Sequence, residues 1–290
     1  MPPGVSALTH TRLANDLAFQ VIAGHIRDFM ERDNGHRPFV PGKTRIPLNV
    51  PTYGAPEAIE ALDSLMSTWV TMGKKVQAFE AMFADYIGQP YGVLVNSGSS
   101  ANLLALSCLD LKPFDEVITP ALTWATTVFP IAQAGAIPVL VDVDRSTYNI
   151  SLEALDEAIR RSITPRTKAI MPVHLLGNPC DMDAICALAN EHGLALIEDA
   201  CEAHGAEYKG RKVGSFGDFS TFSFFFSHHI STIEGGMVLT SRQGWDDGLR
   251  SRRAHGWIRE MSNKASIATE HPDIDPRFLF AYPGFNFRPT

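Results

Sequence analysis

The largely apolar run Phe222–Phe226 ends just before the histidine pair His228–His229, and the chain then reaches the glycine pair Gly235–Gly236. An apolar run that stops at polar residues is typical of a buried strand ending at the edge of a sheet, and glycines there allow close backbone approach. Histidine titrates near neutral pH, so it can accept and return a proton in one reaction. The end of this run is therefore a good place for chemistry.

Adjacent side chains point in opposite directions in an extended chain. His228 and His229 are therefore not expected to hold a metal ion together, and no metal site is predicted. We assign His229, and also His204, to structural roles.

The segment Asn96–Ala101 follows one predicted strand and opens a predicted helix. Backbone N–H groups and hydroxyls at such a helix N-terminus can bind a phosphate, which the positive end of the helix dipole favours. Gly98 allows close approach of the anion, and Ser99 and Ser100 supply hydrogen-bond donors. Serine-rich caps are common, so the segment alone fits an ordinary helix cap equally well.

Two acidic residues, Asp199 and Glu202, follow the strand predicted over residues 194–198. A carboxylate at a strand end can hydrogen-bond a ring nitrogen and keep it protonated, although either carboxylate alone more often caps a helix or stays solvated. Trp124 follows the strand-like run at residues 117–120 and could stack on an aromatic ring, whereas large aromatic residues more often belong to a core. These residues indicate a binding site only when they are taken together, in their order along the chain.

In this order, the segments at residues 96–101, 198–205, 222–236 and 282–288 resemble those of the DegT/DnrJ/EryC1/StrS sugar aminotransferases. That family consists of fold-type I pyridoxal-phosphate enzymes, and the resemblance runs from about Ile46 to Thr290. It implies that eight residues, all but Trp124 from these segments, bind the cofactor: Gly98, Ser99, Ser100, Trp124, Asp199, Glu202, Ser223 and Asn286.

By this resemblance, Asp199 bonds the pyridine nitrogen, Glu202 contacts the ring hydroxyl, and Trp124 stacks on the ring. Ser223 joins the serine-rich turn in binding the phosphate. Asn286 reaches the phosphate in the neighbouring subunit, which implies a homodimer with shared active sites.

The position of His228 is where the resemblance implies a change of chemistry. In the sugar aminotransferases a lysine stands there and binds the cofactor covalently, a bond that histidine cannot make. The exchange is typical of the family's 3-dehydratase branch, lyases that remove the C3 hydroxyl of nucleotide-linked 4-keto-6-deoxyhexoses. It implies non-covalently bound pyridoxamine 5′-phosphate or pyridoxal 5′-phosphate, with His228 as the catalytic acid–base group.

The implied partners are a nucleotide-linked ketosugar, with GDP-4-keto-6-deoxymannose favoured, and glutamate as the amino donor that restores pyridoxamine 5′-phosphate in dideoxysugar and O-antigen biosynthesis. One alternative is a reductase-coupled dehydratase acting on CDP-4-keto-6-deoxyglucose. Its iron–sulfur cysteines would follow the Gly235–Gly236 segment, but no cysteine follows Cys201. A second alternative is a catalytically inactive homologue that binds cofactor or nucleotide sugar.

Short apolar runs alternate with helical runs from residue 92 to residue 198, which predicts an α/β fold with a mainly parallel sheet and helices on both faces. Ligands of such sheets bind at the carboxyl ends of the strands. A helix over residues 12–31 and an arm are predicted within residues 1–45, followed by a cofactor-binding large domain over residues 46–290. The family's smaller C-terminal domain is expected to be absent.

The 290 residues are 45% hydrophobic, which suits a substantial core, and they carry a formal net charge of −7. Scattered basic residues argue against nucleic-acid binding, and the cluster Arg250–Arg253 is predicted to be a solvated helix face. No apolar run is long enough to span a membrane, and the N-terminus lacks a signal peptide. A cytoplasmic protein with reduced cysteines and no membrane partner is therefore expected.

Overall fold

The computed structural model describes residues 13–33, 39–46, 53–162 and 165–290. The chain divides into two compact units, Met1–Gln77 with Thr290 and Ala78–Pro289. The predicted helix start at residue 12 and the first part of the predicted arm, residues 34–38, lie outside the described residues. The domain boundary expected between residues 45 and 46 stays a prediction.

The first unit contains helices α1 (Leu17–Asp33) and α2 (Ala55–Met66). Phe19 of α1 and Ile59 of α2 are buried in one small apolar cluster. Apolar residues three or four positions apart lie on one side of a helix, so the two helices can pack along their apolar stripes. This unit therefore has a core of its own.

The second unit alternates helices and strands, beginning with α3, whose first residues belong to the first unit. In chain order the elements are α3 (Lys74–Ile87), β1 (Tyr91–Val95), α4 (Gly98–Ser107), β2 (Glu116–Pro120), α5 (Ala125–Gln133), β3 (Ile137–Val141), α6 (Leu152–Ser162), β4 (Thr167–Ile170), α7 (Met182–His192), β5 (Ala195–Asp199), β6 (Glu207–Tyr208), β7 (Arg211–Lys212), β8 (Phe219–Ser223), β9 (Gly236–Thr240), α8 (Gln243–Arg253) and α9 (Lys264–Glu270). Short 3₁₀ turns lie at Leu175–Gly177, Ile258–Glu260 and Pro276–Phe278. Across the described ranges, no helix combines the length and apolarity needed to cross a membrane.

Seven strands form one sheet in the order β1-β9-β8-β5-β4-β2-β3. The pairs from β8 through to β3 are parallel, and β9 is antiparallel to both β8 and β1. Strand β1 therefore runs in the same direction as β8. The mainly parallel sheet predicted from the sequence is confirmed, and the carboxyl ends of β1, β2, β5 and β8 share one edge.

The two faces of this sheet are covered by different helices. Val117 and Ala169 pack into a buried cluster that includes side chains of α4, α5 and α8. The next residues along the same strands, Ile118 and Ile170, pack into a second cluster with side chains of α6 and α7. Because neighbouring strand residues point to opposite faces, both faces are buried, as the apolar runs predict.

Strand β8 is shorter than the sequence indicates. The apolar pattern predicts a strand over residues 219–226, but β8 ends at Ser223, whose partner is Gly236, the first residue of β9. Beyond that point the regular ladder has no partner strand, and the side chains of Phe225 and Phe226 are exposed. The predicted end of the strand at residue 226 was therefore wrong, because it followed from the aromatic residues alone.

The Arg250–Arg253 cluster is not the solvated face predicted from its charge. Arg253 is 1% exposed, and its Nη1 donates to Oε1 of Glu80 at 2.6 Å and to the Leu94 carbonyl at 2.8 Å. Arg250 donates from Nη1 to Oε2 of Glu80 at 3.1 Å. The prediction was wrong because a buried carboxylate from α3 supplies the countercharge that buried arginines require.

We expect Arg253→Met to lower the free energy of unfolding by about 3–5 kcal/mol, because it leaves buried Glu80 with one cation fewer. Urea denaturation measures the loss. Arg160→Met is the matched control, since Arg160 is exposed and pairs with Asp156 one helical turn away at 2.9 Å. That control should change stability by no more than about 0.5 kcal/mol, and equal effects of the two variants would contradict the structural role of Arg253.

Candidate functional site

Most of the predicted site residues lie at the ends of four strands of the sheet or in the connections that follow them. Gly98 opens α4 after β1, Trp124 precedes α5 after β2, Asp199 ends β5, and Ser223 ends β8. His228 lies in the turn after β8. The strands run in the same direction, so their carboxyl ends bring these residues to one edge of the sheet, where ligands of open α/β sheets bind.

The N-terminus of α4 carries hydrogen-bond donors of the kind that can bind an anion. Oγ of Ser97 accepts a hydrogen bond from the Ser100 backbone N–H at 3.1 Å, whereas the N–H groups of Gly98 and Ser99 lie in the first turn and have no partner within the helix. The Ser100 hydroxyl donates to Oδ1 of Asn96 at 2.6 Å, and Ser99 is exposed. The turn itself thus uses the Ser100 hydroxyl and leaves the Ser99 hydroxyl for a ligand.

Strands β8 and β9 contact this turn through glycines. A Cβ atom on Gly98 would lie 2.6 Å from Cβ and 3.0 Å from Oγ of Ser223, and one on Gly236 would lie 2.3 Å from the Ser97 carbonyl oxygen. Real Cβ atoms do not approach other atoms this closely, so the contact requires glycine at both positions. It places the Ser223 hydroxyl beside the N-terminus of α4.

Asp199 is 4% exposed and hydrogen-bonded on both carboxylate oxygens. Oδ2 accepts from Nδ2 of Asn102 at 3.0 Å and from Oγ1 of Thr127 at 2.8 Å, and Oδ1 accepts from the Cys201 N–H at 3.2 Å. Sequence reasoning missed Asn102 and Thr127, because neither belongs to a recognisable motif. Their place in the helices that follow β1 and β2 was the available signal.

Trp124 is the N-cap residue of α5, and 76% of it is exposed. The alternative that it is a core aromatic is therefore wrong. An indole at the carboxyl edge of the sheet with this exposure can present a face to a planar ligand. Its stacking role stays a prediction.

His228 is partly buried, and its backbone N–H donates to the Phe225 carbonyl at 2.9 Å. Burial lowers the pKa of His228 below its ordinary value. The Glu202 carboxylate opposes this effect, His229 adds to it, and the Asp199 carboxylate opposes it. The lowered pKa favours a neutral imidazole near pH 7, which can act as a base.

Glu202 supports a neighbouring loop. Its Oε2 accepts a hydrogen bond from the backbone N–H of Leu176 at 2.7 Å. Leu176 has a φ of 54° and Gly177 a φ of 81°, a left-handed pair that needs such support. The predicted contact of Glu202 with a ring hydroxyl stays a prediction.

Three imidazole rings lie close together. The ring of His204 is centred 6.0 Å from that of His228 and 5.6 Å from that of His229. The side chains of His228 and His229 were expected to point in opposite directions. Both rings instead lie near His204, because the pair lies in a turn and not in extended chain. Phe83 and Phe222 also contact His204. In the part of the chain that the structure describes, no group of three or more potential ligands could hold a metal ion.

Asn286 belongs to the C-terminal segment and forms an antiparallel bridge with Ala254. Its Oδ1 accepts a hydrogen bond from Nε of Arg288 at 2.9 Å. Among the described residues, it makes no hydrogen bond to the other members of the site. Its predicted contribution to a neighbouring subunit's site stays a prediction.

We expect Gly98→Ala to destabilise the protein by about 1–3 kcal/mol, because the added methyl overlaps Ser223. Phosphate affinity should fall as well, since β8 must move away from the α4 turn. Urea denaturation and a phosphate titration measure the two effects. Gly244→Ala near the start of α8 is the matched control, since its Cβ would meet no atom within 4 Å; equal behaviour of the two variants would contradict the close contact.

Burial, together with the neighbouring rings of His228 and His229, lowers the pKa of His204 from 6.5 to about 3, and a weaker effect of the Ser223 backbone opposes this. Below pH 6.5 the unfolded chain therefore takes up a proton that the folded chain excludes, so His204 makes the fold less stable as the pH falls. Between pH 6.5 and about pH 5 we expect a contribution of about 2 kcal/mol.

Urea denaturation of wild type and His204→Gln at both pH values measures this contribution. The variant should lose less stability than wild type over the interval. His192→Gln, at the exposed end of α7, serves as the control and should behave like wild type. Identical pH dependence of His204→Gln and wild type would show that His204 does not titrate as the structure indicates.

A model of the DegT/DnrJ/EryC1/StrS aminotransferase family matches residues 52–289. GDP-4-keto-6-deoxy-D-mannose 3-dehydratase of Yersinia pseudotuberculosis is 44% identical over 232 residues, which cover 77% of this chain and 58% of the relative.

Two solved structures of GDP-4-keto-6-deoxymannose-3-dehydratase are also similar. One, with a trapped PLP-glutamate geminal diamine, has a TM-score of 0.76 at 38% identity. The other, a histidine-to-asparagine mutant with bound GDP-perosamine, has a TM-score of 0.78 at 39% identity. Both comparisons cover 84% of this chain and 64% of the solved chain. This chain thus spans less than two thirds of the length of these relatives, and it belongs to the DegT/DnrJ/EryC1/StrS aminotransferase family.

Proposed function

We propose that this chain binds pyridoxamine 5′-phosphate non-covalently and catalyses removal of the C3 hydroxyl from a nucleotide-linked 4-keto-6-deoxyhexose. The observation that carries the proposal is the imidazole of His228, close enough to Glu202 and Asp199 for their charges to affect its pKa. By the family resemblance, this histidine stands where the aminotransferases have lysine. An imidazole can move protons but cannot hold the cofactor covalently. That difference favours a lyase over an aminotransferase.

The residues present fit a pyridoxal-type cofactor. The Gly98 turn offers backbone N–H groups at a helix N-terminus, with the Ser99 and Ser223 hydroxyls beside it, which suits a phosphate. A methyl group at Gly98 would close this cradle onto Ser223. Buried Asp199 suits a protonated ring nitrogen, and exposed Trp124 suits a ring face.

When bound, pyridoxamine 5′-phosphate supplies a primary amine that can react with a ketone and a ring that can accept electrons from neighbouring carbons. Asp199 contributes by accepting a hydrogen bond from the ring nitrogen, which keeps that nitrogen protonated. Trp124 and the Gly98 turn orient the ring and the phosphate. Glu202 orients the ring hydroxyl.

His228 handles the proton. Burial lowers the pKa of His228, so its imidazole is neutral when the reaction begins and accepts a proton at a ring nitrogen. The protonated imidazole of His228 then gives that proton to the departing C3 hydroxyl oxygen of the sugar. The same group therefore serves as base and as acid, and the leaving oxygen departs as water.

The overall reaction balances with glutamate as reductant. The C3 carbon exchanges a hydroxyl group for hydrogen, a two-electron reduction, and glutamate is oxidised to 2-oxoglutarate with release of ammonia. The PLP-glutamate geminal diamine trapped in one similar structure supports this choice of amino donor. Similarity to the Yersinia GDP-4-keto-6-deoxy-D-mannose 3-dehydratase supports GDP-4-keto-6-deoxymannose as the sugar substrate, within dideoxysugar and O-antigen biosynthesis.

We further propose a homodimer with shared active sites. Asn286 is exposed and has no hydrogen bond to the other site residues within the described part of the chain, so its side-chain N–H groups can serve a neighbouring subunit. Its Oδ1 accepts only from Arg288 in the same segment among the described contacts. The segment can therefore present both side chains to a second copy.

The decisive assay combines the protein with pyridoxamine 5′-phosphate, glutamate and GDP-4-keto-6-deoxymannose, followed by mass spectrometry. We expect the sugar to lose one oxygen while ammonia and 2-oxoglutarate appear. His228→Asn should abolish deoxygenation, because an amide cannot carry the proton, and His228→Lys should favour an amino sugar. His192→Asn, an exposed site away from the sheet edge, is the control and should retain wild-type turnover.

The possible results separate the alternatives. An amino sugar from wild type would contradict the role of His228. Activity only with the CDP-linked sugar and an added reductase would identify the reductase-coupled dehydratase. Cofactor binding without turnover of either sugar would support an inactive homologue.

A further inference from the structure

Among the described residues, three of the acceptor positions of the Asp199 carboxylate receive an amide, hydroxyl or backbone N–H donor. An ionised carboxylate offers about four lone-pair positions, two on each oxygen. Oδ2 receives two donors, Nδ2 of Asn102 at 3.0 Å and Oγ1 of Thr127 at 2.8 Å. Oδ1 receives one, the Cys201 N–H at 3.2 Å. The fourth position therefore lies on Oδ1. The Cys201 thiol also interacts with the Asp199 carboxylate, but a thiol is a weak donor that a ring N–H can displace.

We propose that Asn102 and Thr127 are positioning residues that fill both lone pairs of Oδ2, fix the rotation of the Asp199 carboxylate and reserve Oδ1 for the ring nitrogen of the cofactor. This inference rests on the proposed function, because it requires a ring N–H as the incoming donor. Both side chains are only 1% exposed. They therefore act through Asp199 and not by touching the cofactor.

The orientation of the Asn102 amide is determined by its neighbours. One N–H of Nδ2 donates to Asp199, and the other donates to the Thr126 carbonyl at 3.0 Å. A rotated amide would put its oxygen against both of these acceptors. In the observed orientation Oδ1 of Asn102 is buried without a hydrogen-bond partner among the described residues. An unsatisfied buried acceptor is unfavourable. The two hydrogen bonds that Nδ2 donates therefore outweigh this cost and fix the orientation of the amide.

Thr127 is held from its other side by Thr123, whose Oγ1 lies 2.8 Å from Oγ1 of Thr127. A hydroxyl has a single proton, and Thr127 donates it to Asp199. Thr123 must therefore be the donor between the two threonines. Trp124 lies between them in sequence, so the first turn of α5 carries both the candidate stacking residue and the support of the candidate ring-nitrogen partner.

The test uses the 290-residue chain with pyridoxal 5′-phosphate labelled with ¹⁵N in the ring. NMR reports whether the bound ring nitrogen is protonated, and a fluorescence titration gives the dissociation constant. Thr127→Val and Asn102→Leu remove the two donors with little change in volume. We expect each to weaken binding by about tenfold and to move the ¹⁵N shift toward the unprotonated value.

Two further variants control for loss of packing. Thr127→Ser keeps the hydroxyl and should restore the wild-type ¹⁵N shift. Thr119→Val removes another buried hydroxyl, one that donates to the Met171 carbonyl at 2.9 Å, and should change neither readout. Circular dichroism checks that each variant is folded. If Thr127→Val or Asn102→Leu fails to fold, the ¹⁵N shift of the other variant is compared with that of Thr127→Ser, and this comparison still tests the proposal.

A wild-type ¹⁵N shift in the folded donor-removing variants would overturn the proposal, whether or not affinity falls, because lost affinity alone indicates only weaker packing. Asp199→Asn provides the reference for an uncharged partner. If wild type binds no pyridoxal 5′-phosphate, the proposed function and this inference fail together. If wild type binds with a protonated ring and the variants do the same, only the inference fails.

Discussion

The contact between the α4 turn and the ends of β8 and β9 is the constraint on which the candidate site depends. Gly98 and Gly236 make this contact possible, since a Cβ on either would lie 2.6 Å or less from a neighbouring atom. Cys201 belongs to the same packed layer: its Sγ lies 3.2 Å from the place of a Gly98 Cβ, and its N–H donates to Asp199. The N-terminus of α4 and the carboxylate of Asp199 are thus held at a fixed separation by direct packing.

A second buried carboxylate, on the preceding residue of β5, holds the neighbouring loop. Glu198 is fully buried and accepts hydrogen bonds from the N–H groups of Gly214, Phe216 and Gly217, each at 2.7 Å. Successive strand residues point to opposite faces, so Glu198 secures the loop that leads into β8 while Asp199 remains available to the site. A fully satisfied buried carboxylate gives rigidity. The strands that carry Asp199 and the His228 turn are therefore fixed relative to each other.

The sheet was predictable because alternating apolar and helical runs reflect burial on both faces, and the site segments were predictable because they follow its strand ends. The charges of Arg250–Arg253 were misinterpreted, since a helix carries the same local pattern whether it faces water or the carboxylate of Glu80. Asn102 and Thr127 were missed for a related reason. Their importance arises from a shared contact with Asp199, and such a contact between distant segments leaves no local pattern in the sequence.

The surroundings of His228 connect this packing to chemistry. Burial and His229 favour its neutral form, whereas the carboxylates of Glu202 and Asp199 favour its protonated form. In the proposed role of His228, which takes up one proton and returns it, opposed influences of this kind are more useful than a large shift of its pKa in either direction. His204, with its pKa lowered to about 3, stays neutral near pH 7. It therefore adds bulk beside His228 without adding a competing positive charge, and the carboxylates remain the groups that stabilise the protonated ring.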